Sequence, residues 1–203
     1  LGIQRKDGEI SEYWQEYLTV ARSRGYKLLA WNVWDRSGTG CGSIANACSM
    51  FQTEHEWVFV LGKQSKAINK TVPNKHAGEY RHWTTRQKDG TLVPDSGVVQ
   101  AYRRLGSVFH SKTANLESRV VGHPAMFPVA FPEEYCLAMT DDGGSVLDPF
   151  LGSGTTLIAA EKTGRVCYGL EIDPKYCDVI IKRYAEYTKT DEKIIRKTRE
   201  KAK

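Results

Sequence analysis

The stretch Val146-Leu-Asp-Pro-Phe-Leu-Gly-Ser-Gly-Thr-Thr156 decides how this chain folds. The apolar run at 145–148 that leads into it is typical of a short buried strand. Residues 155–162 then have the composition of a helix. Two glycines between them, two positions apart, allow the backbone to turn tightly and let a ligand approach it closely. The stretch therefore predicts a strand, a glycine-rich turn and a helix in succession.

The glycine spacing and a later acid indicate which ligand the turn serves. A phosphate-binding P-loop is excluded, because no Lys-Ser or Lys-Thr follows the glycines, and Leu157 stands where a dinucleotide motif has its third glycine. Glu171 lies 19 residues after Gly152, at the end of the next predicted strand. An acid at that place accepts hydrogen bonds from ribose hydroxyls. The order predicts a cofactor with a nucleoside; a plain turn with a capping acid is the alternative.

Strands and helices alternate on both sides of this turn, which predicts an α/β fold. Helices are predicted at 11–24, 132–140 and 174–187, and strands at 26–34, 56–61 and 166–171. Residues 62–122 differ, because only 97–105 has a short apolar pattern, and a connection of that length suggests an insert or small subdomain.

Composition narrows the class of protein. The 203 residues are 40% hydrophobic and 26% charged, as expected for one soluble domain, and no stretch is long and apolar enough for a membrane span. The five cysteines are odd in number and form no Cys-x-x-Cys pair, so we expect a reducing cytoplasm and neither a disulfide framework nor a metal site. The adjacent Glu54, His55 and Glu56 alternate between strand faces and cannot converge on a metal.

The positive charge is concentrated in one part of the chain. Residues 61–120 contain 11 basic and 4 acidic side chains, a net charge of +7, against +5 for the whole chain. A concentrated basic block favours a polyanionic partner, with nucleic acid the first candidate. A solvated basic face is the alternative.

The segments VLDPFLGSGTT (146–156) and GRVCYGLEIDPKY (164–176) resemble the cofactor half of the amino-methylating DNA methyltransferases. These enzymes transfer a methyl group from S-adenosylmethionine to N6 of adenine or N4 of cytosine. The resemblance implies a Rossmann-like methyltransferase sheet with helices on both faces. It also implies a cofactor site made of Asp148, Phe150, Gly152, Ser153, Gly154, Thr155, Thr156, Glu171 and Asp173, bordered by His123 and Pro124 of the His-Pro segment at 123–131.

The segments LLAWNVWDR (28–36) and TEHEWVFVLGK (53–63) are similar to strands of the family's catalytic half. This order resembles the permuted subgroup, with part of the catalytic half at 1–62, a target-recognition insert at 63–122, the cofactor half at 123–190 and a charged tail at 191–203. The basic block falls where recognition belongs, so double-stranded DNA is the expected partner. The expected DNA contacts are Arg81, His82, Trp83, Arg86, Lys88, Arg103 and Arg104.

The family's catalytic signature, Asp/Asn/Ser-Pro-Pro followed by an aromatic residue, has no counterpart here, because the sequence contains no Pro-Pro dipeptide. In the permuted order the signature precedes the helix at 11–24. We therefore expect either a chain shortened before its catalytic strand or one whose signature is supplied elsewhere. Alone, it is expected to bind the cofactor weakly or moderately and to methylate nothing. A methyltransferase acting on RNA or protein, and a catalytically silent DNA- or nucleotide-binding module, remain alternatives. The sequence does not show whether the target base is adenine or cytosine, or whether the protein is a monomer or a homodimer.

Overall fold

The computed structural model describes residues 5–6, 9–36, 54–111 and 126–189, and every structural statement below concerns these residues. Their helices are α1 (Trp14–Ser23), α2 (Ala130–Met139), α3 (Thr155–Lys162) and α4 (Pro174–Thr188). Their strands are β1 (Arg5–Lys6), β2 (Glu9–Ile10), β3 (Lys27–Asp35), β4 (His55–Gly62), β5 (Lys70–Pro73), β6 (Tyr80–Arg86), β7 (Leu92–Val98), β8 (Tyr102–Arg104), β9 (Val108–His110), β10 (Ser145–Asp148) and β11 (Val166–Gly169). Within these ranges no helix has the length and apolar character needed to cross a bilayer.

A three-stranded sheet forms the first half of the fold, with the order β4-β3-β9. Strands β3 and β4 are antiparallel, so that Asp35 lies opposite His55 at one end of the pair. Strand β9 runs parallel to β3 on its other side, with Phe109 opposite Trp34. The two long strands confirm the predictions for 26–34 and 56–61 to within a few residues.

A parallel pair, β10 and β11, forms the second half. Ser145 lies opposite Val166 and Asp148 opposite Gly169, so the two strands start and stop together. Helix α3 makes the connection between them and packs against β11. The far face of the pair is exposed in the described structure: Leu147 and Tyr168, which lie opposite each other, are 69% and 60% exposed.

The segment between the two halves is built from strands, which the sequence did not predict. Strands β5 and β8 pair antiparallel, and β6 and β7 form a hairpin in which Tyr80 lies opposite Val98 and Arg86 opposite Leu92. Every side chain from Tyr80 to Ser96 is exposed. A strand signal comes from alternation between a buried and a solvated face, and a hairpin exposed on both faces has none.

Helix α2 joins the two halves through an aromatic cluster centred on Phe131. Its ring stacks on Trp34 of β3 at 5.3 Å between centroids and meets Phe109 of β9 at 5.3 Å. Phe127 at 5.6 Å and Tyr135 at 5.2 Å complete the contacts. Such edge and offset contacts between rings add to the burial of their apolar area. Phe131 thus fixes α2, and with it the second half, against the first sheet.

The other end of α2 is held by polar contacts. The side chain of Asn69 donates hydrogen bonds to the backbone carbonyls of Leu137 at 3.1 Å and Thr140 at 2.9 Å. The buried guanidinium of Arg165 also donates to the carbonyl of Thr140, at 3.1 Å. These bonds satisfy carbonyl groups that a helix leaves without partners at its C-terminus.

Replacing Phe131 with Ala should lower the free energy of unfolding by about 3 kcal/mol, because it removes the shared contact of four aromatic rings and leaves a cavity. Urea unfolding followed by tryptophan fluorescence measures the loss. Tyr102→Ala, which removes a 53% exposed ring, is the matched control and should cost about 0.5 kcal/mol or less. Equal losses in the two variants would show that Phe131 does not join the halves.

Candidate functional site

The glycine-rich turn begins where β10 ends. The carboxylate of Asp148 accepts a hydrogen bond from the backbone N–H of Phe150 at 3.0 Å, which starts the turn. Gly152 and Gly154 then adopt positive φ values of 56° and 82°. Both values lie in the left-handed region, where side chains with a Cβ are strained. The predicted need for two glycines is therefore met by the backbone conformation.

Gly154 is also a point of close packing. It precedes the first residue of α3, and a Cβ placed on it would lie 3.2 Å from Cγ2 of Ile180 on α4. The absence of a side chain lets the two helices meet directly behind the turn. The turn is thus supported from below by α4.

Glu171 and Gly152, which are 19 residues apart in sequence, are joined directly. One oxygen of the Glu171 carboxylate accepts the backbone N–H of Gly152 at 2.7 Å, and the other accepts that of Asp173 at 2.9 Å. The backbone N–H of Leu151 donates to the carbonyl of Leu170 at 2.9 Å and extends the pairing of the two strands. The carboxylate is therefore fixed in place at the carboxyl edge of the sheet, where ligands bind in α/β folds.

The hydroxyl side chains of the turn point away from solvent. Ser153 and Thr155 are 3% exposed and Thr156 is 8% exposed. Arg183 of α4 donates to the backbone carbonyl of Ser153 at 2.6 Å and to its Oγ at 3.2 Å. These three predicted site residues lie behind the turn, so a ligand in front of it meets their backbone and not their hydroxyls.

Asp173 has a structural role that the sequence did not assign. It stands at the N-cap of α4, where its carboxylate accepts the backbone N–H of Lys175 at 2.9 Å. Such a cap stabilises a helix start by about 1 kcal/mol. Its own N–H holds Glu171, so this residue supports the site through the backbone.

Two exposed apolar side chains belong to the two segments that form the site. Ile172 is 98% exposed and directly follows Glu171, and Phe150 is 88% exposed at the start of the turn. Large apolar side chains with this exposure leave apolar surface that a ligand could cover. Sequence reasoning named Phe150 but missed Ile172, whose signal was an isoleucine placed between two acids.

Cys167 packs behind the site. Burial first, then the negative charge of Asp148, and then repulsion between the Cys167 and Cys136 thiolates raise the pKa of the Cys167 thiol to about 11. It therefore stays protonated at neutral pH and does not act as a nucleophile. Cys136 is buried, whereas Cys167 and Cys177 are only half-buried.

His123 and Pro124, the predicted border of the cofactor site, lie outside the described residues. In the part of the chain that is described, no group of three or more His, Cys, Asp or Glu side chains is arranged to hold a metal ion.

The predicted DNA contacts are spread over two pairs of strands. His82 and Arg86 lie on one face of the β6–β7 hairpin, and Arg81 and Trp83 lie on the other, because successive side chains of a strand alternate. Lys88 is in the hairpin turn, and the remaining two predicted contacts, Arg103 and Arg104, are on β8. The structure thus brings all seven into the segment between the two halves but does not place them on one surface.

The family model and the curated proteins described here, which match this chain, are all those of methyltransferases. The family model for N6/N4 methyltransferases, described as DNA methylase, matches residues 6–183. The chain is 30% identical over 145 residues to the orphan methyltransferase M.BamHII of Bacillus amyloliquefaciens, covering 65% of this chain and 54% of that protein. It is 39% identical over 129 residues to the type II methyltransferase M.SmaI of Serratia marcescens, covering 64% and 37% respectively.

Two solved structures show the fold. The PvuII DNA methyltransferase, cytosine-N4-specific, matches with a TM-score of 0.62 at 16% identity, over 93% of this chain and 66% of that one. The M1.HpyAVI–SAM complex matches with a TM-score of 0.57 at 20% identity, over 86% and 71%. The expected Rossmann-like methyltransferase fold is therefore confirmed. The chain spans about half or less of the length of these two curated relatives.

Gly154→Ala should destabilise the protein by more than Gly164→Ala. Both positions have positive φ, 82° and 71°, so the two variants should have similar backbone strain. A Cβ at position 164, however, meets nothing within 4 Å. The contact with Ile180 should add about 1–3 kcal/mol to the loss at position 154. Urea unfolding of the two variants checks this. Equal losses would mean that α4 is not seated against the turn.

Proposed function

The chain belongs to the N6/N4 DNA methylase family, and on this premise we propose that it serves S-adenosylmethionine-dependent methylation of an exocyclic amine in DNA, at N6 of adenine or N4 of cytosine. The observation that carries the proposal is the Glu171 carboxylate, fixed by the N–H groups of Gly152 and Asp173 beside a glycine turn. A fixed carboxylate at the carboxyl edge of a parallel pair suits the ribose of a nucleoside cofactor.

Ribose recognition falls to Glu171. A carboxylate accepts hydrogen bonds at several lone-pair positions, so its two backbone bonds are compatible with further bonds from the two ribose hydroxyls. Because the backbone bonds hold the group in place, little side-chain entropy is lost on binding. Hydrogen bonds to a charged acceptor contribute about 1.5–3 kcal/mol.

The adenine ring is assigned to the apolar side chains beside that carboxylate. Ile172 follows Glu171 directly and Phe150 begins the turn, and both are almost fully exposed. Covering these side chains with a planar purine removes apolar surface from water, which favours binding. This pairing of a ribose acceptor with apolar surface fits a nucleoside better than a bare phosphate.

The methionine end of the cofactor is assigned to the start of α3. The helix has no acidic residue in its first turn, and the preceding turn is built on Gly152 and Gly154, so an anion can approach the backbone N–H groups closely. The positive end of the helix dipole favours a carboxylate at that place. The buried hydroxyls of Ser153, Thr155 and Thr156 stabilise the turn from behind.

Bound S-adenosylmethionine supplies a methyl group already activated on a positively charged sulfur, and this needs no metal ion. The exocyclic amine of a base is a poor nucleophile, because its lone pair is delocalised into the ring. Acceptors for the amine hydrogens would localise that lone pair, and a base in a duplex has to leave the stack to reach them. The family's Pro-Pro signature would provide those acceptors, and this sequence has none.

A second function is favoured by that missing dipeptide. The 203 residues alone would then act as a module that binds cofactor and DNA without chemistry, with methyl transfer depending on a catalytic segment outside this sequence. DNA binding in either case is assigned to the strands between the two halves, where the excess of basic residues supplies phosphate contacts. The reducing cytoplasm expected from the cysteines suits such a role.

Glu171→Gln should weaken S-adenosylmethionine binding by about 10- to 100-fold, because the ribose loses a charged acceptor worth about 1.5–3 kcal/mol. Isothermal titration calorimetry measures the affinity, and circular dichroism verifies the fold. Glu186→Gln, which changes an exposed carboxylate on α4, is the matched control and should bind like the wild type. Unchanged affinity in Glu171→Gln would show that the ribose lies elsewhere.

The isolated chain should transfer no methyl group to duplex DNA although it binds the cofactor. Incorporation of tritium from methyl-labelled S-adenosylmethionine measures transfer, and the Glu171→Gln variant sets the background that contaminating enzymes would produce. Transfer by the wild-type chain above that background would overturn the expectation and show that catalysis does not need the Pro-Pro signature.

A further inference from the structure

We propose that one face of the β6–β7 hairpin enters the major groove of the target DNA and reads its base edges, while the opposite face is turned away. This rests on the proposed function and makes it more specific, since it names the side chains that choose the sequence. The face in question, here called the His82 face, consists of Tyr80, His82, Thr84 and Arg86 on β6 with Leu92, Pro94, Ser96 and Val98 on β7.

The two faces are defined by an uninterrupted register. His82 lies opposite Ser96 and Thr84 opposite Pro94, so these side chains share one face. Two contacts show that these side chains share a face. The hydroxyl of Tyr80 is 2.9 Å from Oγ of Ser96, and the rings of Tyr80 and His82 meet edge to face at 5.5 Å between centroids. The His82 face is thus an ordered surface supported by its own cross-strand contacts.

On the opposite face, here called the Asp95 face, polar side chains form hydrogen bonds with one another. The carboxylate of Asp95 accepts hydrogen bonds from Nε1 of Trp83 at 3.2 Å and from Oγ1 of Thr85 at 3.3 Å. The ring of Trp83 also covers Gly97, where a Cβ would lie 3.2 Å from it. A negatively charged group at the centre of this face disfavours contact with phosphates.

Arg81, on the Asp95 face, is already paired. Its Nε donates to Glu79 at 2.9 Å, and its other nitrogen lies 2.8 Å from Nδ1 of His76. Hydrogen bonds from His76 first, and then from Arg81, lower the pKa of the Glu79 carboxyl, so the acid stays charged and balances the arginine. The proposal therefore gives Arg81 and Trp83 a supporting role instead of the DNA contacts expected from the sequence.

The His82 face carries what a base-reading surface needs. It has no carboxylate, and it offers hydroxyl, imidazole and guanidinium groups that donate to base edges. The guanidinium of Arg86 donates to the carbonyl of Gly90 at 3.5 Å, a long bond that uses one of its five N–H donors. Arginine is the side chain that most often recognises guanine through two hydrogen bonds, and Pro94 offers an apolar contact for a thymine methyl group.

The dimensions also fit. Each strand has seven residues and so extends about 24 Å, and the two strands are about 5 Å apart. The major groove is about 12 Å wide and admits a two-stranded ribbon. Because all side chains from Tyr80 to Ser96 are exposed, the ribbon can enter without unfolding. Lys88 in the turn and Arg103 and Arg104 on β8 remain for phosphate contacts.

Photocrosslinking at two adjacent positions tests the assignment. Benzoylphenylalanine is placed at Thr84 in one variant and at Thr85 in another; both are exposed threonines of the same strand, on opposite faces. The DNA is duplex enriched from a random pool by selection on the wild-type chain. We expect crosslinks from position 84 at least ten times stronger than from position 85.

Repeating the selection with variants tests the reading itself. Arg86→Ala and Thr84→Ala should each relax the preference at one or two base pairs by about tenfold or more. Thr85→Ala removes the same hydroxyl from the Asp95 face and should keep the wild-type preference. Circular dichroism and the S-adenosylmethionine affinity of each variant verify that it is folded.

The outcomes separate this inference from the function on which it rests. If the wild-type chain enriches no duplex sequence and binds no DNA, the DNA part of the proposed function fails. If the wild type binds but position 85 crosslinks as strongly as position 84, or neither position crosslinks, the face assignment is wrong while DNA binding stands. Crosslinks confined to position 84 with an unchanged preference in Arg86→Ala would also overturn it.

Discussion

The site depends on the parallel pairing of β10 with β11. Because these strands run in the same direction and in register from Ser145 to Asp148, the turn that follows the first and the acid that follows the second must emerge at one edge. That constraint brings Gly152 within 2.7 Å of Glu171. The left-handed glycines and the Asp173 cap all serve to keep this one hydrogen bond in place. A slip of one residue in the register would separate the turn from its acid.

The other described elements have two separate roles: one set joins the two halves, and the other supplies positive charge. Phe131 attaches the second half to the β4-β3-β9 sheet through ring contacts, which are insensitive to salt. The basic segment between the halves contributes positive charge, and the attraction to DNA proposed for it would fall steeply as salt rises. The molecule therefore separates the interactions that hold it together from those proposed to bind its partner. Either kind can change without loss of the other.

Sequence reasoning predicted the fold, and it predicted the glycine turn and the acid that the structure brings together, because both rest on rules that a short motif satisfies. Gly152, Gly154 and Glu171 were predicted from spacing alone, since few residue types tolerate positive φ or accept ribose hydroxyls. The direction of side chains was not predictable. A hydroxyl fits a buried helix start as well as a ligand, so Thr155 was expected at the cofactor, whereas its side chain is buried at the start of α3. The hairpin left no signal because both its faces are exposed.

The independence of the β6–β7 hairpin has an evolutionary consequence. Its side chains from Tyr80 to Ser96 contact one another or solvent, and none of them is buried in the core. Surface replacements typically change the free energy of unfolding by about 0.5 kcal/mol or less. Substitutions on its outward faces are therefore not limited by the loss of stability that restricts change elsewhere in a protein. Change in this short ribbon can proceed while the residues that hold Gly152 against Glu171 stay constrained. Such a scaffold can diversify quickly, acquiring new recognition by exchanging a few exposed residues.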